Sequence, residues 1–290
     1  MVDISVIITN YNNSQYLSEC LDSVFSQTDV NFECIIVDDN STDDSLTILE
    51  SYASLHQNLI LIKKHINEGC GQGRCTGLKY GSGKYVIFLD SDDYYTHQHY
   101  LKFLFDKAES TDSDIVRSGY SDITGEHIEH DDAIIIDRQE RIDAMLNAWG
   151  KSITSICNTM YNRTIWQKTY YSERPAVEDT PSHVRALMIA NQIAYVEDYG
   201  YYYRTNPNSI THNLYPAKFQ LFNILCMFDC LKACKPYNVK FICDERGAYE
   251  DFKLNAIFLG FTRESFKGYE KYYDELINKF KELNYDTSMF

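Results

Sequence analysis

No lysine or arginine occurs before Lys63, although Met1 to Glu50 carries ten acidic residues. Across its 290 residues the chain has 27 basic against 42 acidic side chains, a formal charge of −15. Neutralising a phosphate backbone requires a basic face, and no cluster of Lys and Arg with interleaved aromatics supplies one, so a nucleic-acid partner is excluded. An anionic ligand held by the N-terminal part needs positive charge brought from elsewhere. No run approaches eighteen apolar residues, and no charged lead precedes an apolar segment at the N-terminus. Neither a membrane span nor a signal peptide is expected, and the cytoplasm is the expected compartment. The nine cysteines are scattered and odd in number, without close pairs, which fits reduced thiols rather than a disulfide framework or a zinc site. Cys226, Cys230 and Cys234 share one helix face and read as a buried stripe. There is no internal repeat, low-complexity segment or Pro/Gly linker. With 44% hydrophobic residues the chain can bury a sizeable core.

Short β-rich apolar runs alternate with helical segments over the first ninety residues. Strands are predicted at Ile4 to Thr9, Cys34 to Val37, Leu59 to Ile62 and Tyr85 to Leu89. Helices are predicted at Ser14 to Gln27, Ser41 to Leu55 and Gln72 to Tyr80. Continuously apolar strands joined by crossover helices predict an α/β fold with a mostly parallel central sheet and helices on both faces. Ser41 to Asp44 would cap the second helix and put acids in its first turn. Helices are also expected at Tyr100 to Glu109, Arg138 to Trp149 and Ser182 to Ala190. Strands are expected at Ile115-Val116 and Ala133 to Ile136, with β-rich text at Ile153 to Tyr161 and Ala194 to Tyr203. Two or three helices should fill Pro216 to Leu283. The expected organisation is a catalytic domain over 1–213, divided at residue 93, and a helical extension over 214–290.

In open parallel sheets ligands bind beyond the carboxyl ends of the strands. The residues there are Thr9 to Asn12, then Asp38 to Asn40, then Asn67 to Gly69, then Asp90 to Asp93. Three carboxylates in the Asp90-Ser-Asp-Asp93 run repel one another, and its place directly after a buried strand favours a divalent cation, Mg²⁺ or Mn²⁺, over a solvated acidic turn. Two readings stand at Asp38-Asp39: turn and capping chemistry, or carboxylates accepting from a base N–H or a ribose hydroxyl. Tyr11 would either stack on a base or cover the core edge. Gly69-Cys-Gly-Gln-Gly-Arg74 is no dinucleotide fingerprint, because Thr76 stands where the third glycine belongs. Gly83-Lys84 completes no phosphate loop, because Leu78 replaces its first glycine. The stretch reads instead as a flexible turn into a helix whose N–H groups and Arg74 suit a diphosphate. Glu178-Asp179 precedes a helix, where Asp179 is either a cap or an ionised general base. Arg204 and His212 follow an aromatic run, and His212 alone reads as a surface residue.

Taken together and in order, six stretches resemble family 2 glycosyltransferases of the GT-A fold. They are Val6 to Asn12, Ile36 to Asp43, Asn67 to Gly69 with Arg74, Phe88 to Asp93, Glu178-Asp179, and Tyr203-Arg204 with Ser209 to His212. The resemblance implies that Thr9, Tyr11 and Asp39 hold the nucleoside, commonly uridine, with Asp38 beside them. It places Asn67, Gly69 and Arg74 near the base and phosphates. Asp90 and Asp92, with Ser91 between them, would form the metal-binding D-x-D element, Asp92 being the direct ligand of Mn²⁺ or Mg²⁺. Asp179 would be the catalytic base, with Glu178 and Asp93 on the acceptor side, and Arg204 and His212 would close over the diphosphate or metal. Thr9 departs from the family's usual proline. The resemblance further implies inverting transfer from a nucleotide-sugar, in particular a UDP-sugar, to a saccharide or lipid-linked saccharide during bacterial surface polysaccharide assembly.

Alternatives from other classes fit less well. An aspartyl phosphohydrolase of the D-x-D-x-(T/V) type would want Thr or Val where Tyr94 stands. A sugar-nucleotide-forming nucleotidyltransferase would want a basic Gly-rich loop after the first strand. An idle binding module would lack the base or the D-x-D. In the C-terminal extension, Phe266, Tyr269, Tyr273, Ile277 and Phe280 form one stripe, expected to pack on the catalytic domain or a second subunit as a homodimer. Peripheral contact with the inner membrane face would suit a lipid-linked acceptor, but Glu270, Asp274 and Glu275 dilute the basic face.

Overall fold

The computed structural model describes residues 1–127, 131–147, 156–172, 174, 176–207, 209, 216–241, 244–259 and 261–288. His212, Trp149 and Cys243 lie outside them. Among the described residues the main sheet has eight strands in the order β3-β2-β1-β4-β10-β6-β11-β9. These are β1 (Ile4–Asn10), β2 (Phe32–Asp38), β3 (Leu59–Lys63), β4 (Tyr85–Asp90), β6 (Ile115–Ser118), β9 (Ala133–Ile135), β10 (Thr159–Asn162) and β11 (Ile193–Val196). β3, β2, β1 and β4 run parallel, as their apolar character predicts: Val6, Ile7, Ile8 and the whole of Cys34 to Val37 are sealed from solvent. β10 then pairs antiparallel with β4 and with β6, β11 returns parallel to β6, and β9 closes the edge antiparallel.

Three helices cross over between the first strands: α1 (Ser14–Phe25), α2 (Ser45–Leu55) and α3 (Cys70–Tyr80). The second begins four residues later than the sequence suggests, with no acid in its first turn. Ser41 to Asp43 are used otherwise: Asn12 Oδ1 accepts from the Thr42 and Asp43 N–H groups, and Asp43 accepts from those of Ser14 and Ser45. The glycine-rich stretch is also not a flexible turn. Gly69 alone takes a left-handed conformation, φ 88°, at the helix start. Gly73 and Gly77 let α3 lie directly on β1, since an added Cβ would sit 2.7 Å from Thr9 Cγ2 and 2.4 Å from Ile7 Cγ2.

The later elements are α4 (Tyr100–Thr111), α5 (Arg138–Asn147), α6 (Arg163–Lys168) and α7 (Asp179–Ile189). A second sheet, ordered β5-β12-β7-β8, combines β5 (Tyr94–Tyr95), β7 (Tyr120–Asp122), β8 (Gly125–His127) and β12 (Tyr201–Tyr202). Its strands have two or three residues each, too short for alternation to register in the sequence. It ties the segment after β4 to the segment before Arg204.

The extension consists of α8 (Pro216–Cys234), α9 (Glu245–Leu259) and α10 (Glu270–Glu282) with two short 3₁₀ turns. Cys226, Cys230 and Cys234 are buried in the main core, as the stripe reading expects. Phe266, Tyr273, Leu276 and Phe280 form a second core with Leu221, Leu225 and Phe252, and Tyr269 and Ile277 pack against it. The C-terminal stripe is therefore satisfied within this chain. Among the described residues no helix is long and apolar enough to cross a membrane.

Gly77→Ala should lower the stability measured by denaturant unfolding by about 1–3 kcal/mol, despite alanine's better helix propensity, because the stiff Ile7 side chain has nowhere to move.

Candidate functional site

The strand order reverses between β1 and β4, and at such a switch point the connecting loops diverge and leave a crevice. Thr9 is in register with Asp90 there, so the loop after β1 faces the acidic run after β4. Tyr11 is 46% exposed at this rim, and Thr9 is half-buried. Asp38 is fully buried: it accepts from Asn10 Nδ2 at 2.8 Å and from the Ser41 hydroxyl and N–H. Its oxygens brace the loops after β1 and β2. Asp39 accepts from Lys64 Nζ at 2.8 Å and from the N–H groups of Glu68 and Gly69, holding the β3–α3 loop against the end of β2. Asn67 Oδ1 accepts from the Gly69 N–H at 3.0 Å, bracing the same turn. Lys64 escaped the sequence reading because its partner lies 25 residues away.

Arg74 differs most from expectation. It is 3% exposed, and its guanidinium reaches Asp90 Oδ1 at 2.5 Å, Asp179 Oδ1 at 2.6 Å, Glu178 Oε1 at 2.7 Å and the Tyr171 hydroxyl at 2.9 Å. Burial opposes its charge, but Asp179, Tyr171 and Asp90 more than offset that and hold its pKa well above the ordinary value. Arg74 thus forms a buried clamp: on the inner turn of α3, its fork is surrounded by fixed carboxylates. Cys70, also on α3, donates its thiol to Glu178 at 2.9 Å.

The clamp joins two motifs 89 residues apart, the acid at the end of β4 and the acids at the start of α7. The side chain of Asp179 is 23% exposed, that of Glu178 only 6%. Burial pushes the Asp179 carboxyl up to about 7, with Glu178 and Asp90 adding to the rise and Arg74 and Tyr171 opposing it. The helix start does not keep this acid in the ordinary carboxylate range, contrary to expectation; desolvation and like charge outweigh it. A group titrating near neutrality is suited to accept a proton there.

In the acidic run the three aspartates diverge. Asp90 points to Arg74. Asp92 accepts from Asn206 Nδ2 at 2.7 Å, and burial together with Asp90 raises its pKa. Asp93 is 2% exposed and accepts from the Tyr201 hydroxyl and the Arg204 N–H. It anchors the strap that follows β12. Ser91 is likewise buried, accepting from Asn13 Nδ2 at 2.9 Å. Arg204 lies across this loop: its Nε donates to the Asp92 carbonyl at 2.7 Å, it pairs with Glu19, and it sits over the rings of Tyr16 and Tyr94.

No group of three or more His, Cys, Asp or Glu side chains converges for a metal among the described residues. The donors at hand are the hard carboxylate oxygens of Asp92 and Asp90, which repel each other without a cation. That set fits Mg²⁺ or Mn²⁺ held by one or two carboxylates and completed by substrate phosphates.

The sequence model described as glycosyl transferase family 2 matches residues 5–170. The poly(ribitol-phosphate) beta-glucosyltransferase of Bacillus spizizenii is 30% identical over 206 residues, 69% of this chain and 32% of that protein. This chain thus spans about a third of that relative's length. The crystal structure of Staphylococcus aureus TarS 1-349 in complex with UDP-GlcNAc is 25% identical with a TM-score of 0.67, covering 91% of this chain and 75% of that one. Mannosyltransferase PcManGT of Pyrobaculum calidifontis, in complex with GDP-Man and Mn²⁺, shares the fold with a TM-score of 0.54 at 14% identity, over 93% of this chain and 84% of that one.

Replacing Arg74 by Met leaves Asp90, Glu178 and Asp179 facing one another without a cation. Unfolding should be easier by about 3–5 kcal/mol. Because those acids are then relieved only by protonation, the deficit should shrink as pH falls, which thermal melts at a series of pH values would register.

Proposed function

The chain belongs to glycosyl transferase family 2, and on that premise we propose that it moves a sugar from a UDP-sugar to a hydroxyl of a saccharide or lipid-linked saccharide acceptor in surface polysaccharide synthesis, inverting the anomeric configuration with Mn²⁺ or Mg²⁺. The observation that carries this reading is the Arg74 clamp, which brings Asp90 of the acidic run and Asp179 of the helix start to one guanidinium. The likeness to TarS, crystallised with UDP-GlcNAc, supports the donor class, and the Mn²⁺ in the mannosyltransferase complex supports the cation. Residues 1–93 would form the nucleotide half and 94–213 the acceptor half, with 214–290 as the helical extension.

Thr9, Tyr11 and the loop braced by Asp39 would line the nucleoside end, and Asn67 and Gly69 would bound it. Asp92, with Asp90 beside it, would hold the cation, whose chemistry there is to offset negative charge growing on the departing diphosphate. His212 is proposed as a further ligand on the resemblance alone. Asp179 takes the proton of the attacking hydroxyl, since it is the half-buried, near-neutral acid of the cluster. Glu178 keeps its carboxylate on Arg74 and Cys70, so it steadies the base. A single base that activates the acceptor is consistent with one displacement, and the inversion of configuration rests on the family. Arg204, pinned over the acidic loop, adds positive charge beside the diphosphate.

A panel of nucleotide-sugars scored for hydrolysis with and without Mn²⁺ tests the assignment. Asp92→Asn should lose cation-dependent nucleotide binding; normal binding would refute the metal role. Asp179→Asn should bind nucleotide normally yet lose about 10²- to 10⁴-fold in turnover. In the wild type, kcat/KM should rise with pH through about 7, because the base works ionised and its carboxyl is held up to that value. A profile flat across neutrality would refute it.

A further inference from the structure

Tyr171 lies outside the sequence motifs and one residue past the stretch matched by the family. Its ring is 2% exposed and held on three sides, by Phe88 at 5.4 Å and Trp166 at 5.7 Å between centroids and by the Arg74 guanidinium carbon 5.7 Å over the ring. Its hydroxyl accepts from Arg74 Nη1 at 2.9 Å and donates to Asp179 Oδ1. The segment is stitched to the turn that carries Asp179: the Ser172 N–H donates to Ser182 Oγ at 2.9 Å, and that hydroxyl donates to the Glu178 carbonyl at 2.6 Å.

We propose that Tyr171 is a positioning residue for the base, its hydroxyl fixing Asp179 Oδ1 so that Oδ2 faces the acceptor. The assignment rests on the reading of Asp179 as base. Arg74 and Tyr171 both bond to Oδ1, and among the described residues no donor reaches Oδ2. The rotation of the carboxylate is thereby set by two bonds from groups that are themselves immobile, the arrangement that catalytic geometry demands. The charged and titratable groups around Asp179 are Arg74 and Cys70 from α3, Asp90 from β4, Tyr161 from β10, Glu178 beside it and Tyr171. Of these, Arg74 and Tyr171 favour the ionised form, Tyr171 through a hydrogen bond that only its hydroxyl makes.

Tyr171→Phe keeps the ring contacts and deletes that bond. With UDP-glucose or UDP-GlcNAc as probe and water as acceptor, the midpoint of the ascending pH limb should move up by about one unit. Hydrolysis below the limb should fall about tenfold, with UDP affinity and donor KM unchanged. A limb that stays in place overturns the proposal, and so does a loss of UDP affinity parallel to the loss of rate. Infrared titration of the Asp179 carboxyl, isolated as the difference between wild type and Asp179→Asn and repeated in the Tyr171→Phe background, reads the same shift without turnover. If Asp179→Asn itself keeps the limb, the base assignment falls; if Asp179→Asn removes the limb while Tyr171→Phe leaves it in place, only the role of Tyr171 falls.

Discussion

A guanidinium buried to 3% exposure among three carboxylates has few ways to persist. Removing a cation from water costs several kcal/mol, and the cost is recovered only when opposite charges are fixed at hydrogen-bond distance. Arg74 meets that condition because α3 lies flush on β1, and α3 lies flush because Gly73 and Gly77 present no side chain to Thr9 and Ile7. The clamp in turn fixes where the end of β4 and the start of α7 stand relative to each other. A change of packing at a glycine is thus transmitted to the distance between Asp90 and Asp179.

The same arrangement answers how so acidic a chain can handle an anionic substrate. The N-terminal fifty residues bring ten acids and no base, and the first nearby cations, Lys64 and Arg74, are both committed to carboxylates of the protein. Neither is left over for a diphosphate. Arg204 is the cationic side chain laid across the acidic loop, and it is itself paired with Glu19. On the proposed function, a divalent cation at Asp92 would offset the diphosphate charge, so the charge distribution supports cation dependence alongside the acidic motif.

Much of this was legible in the sequence, and the parts that were not share a cause. The seven elements up to β4 announce themselves because a strand buried on both faces must be continuously apolar, and the strand-end rule then locates Thr9, Asp39 and Asp90 at one rim. The small second sheet escaped because strands of two or three residues carry no period. The internal partners of Arg74, Asp38 and Asp93 were not foreseen, because an ion pair or hydrogen bond between residues tens of positions apart leaves no local mark. Lys64, Tyr171 and Asn206 were missed for the same reason: each is an ordinary residue type in an undistinguished stretch, given a function only by what the fold places beside it.

The claim at the centre is that Asp90 and Asp179 act as one unit through Arg74. A double-mutant cycle of Asp90→Asn and Asp179→Asn, read by denaturant unfolding in wild-type and Arg74→Met backgrounds, tests it most directly. A coupling of about 1 kcal/mol or more in the wild-type background that changes on removal of Arg74 is the predicted result. Additive effects in both backgrounds would contradict it.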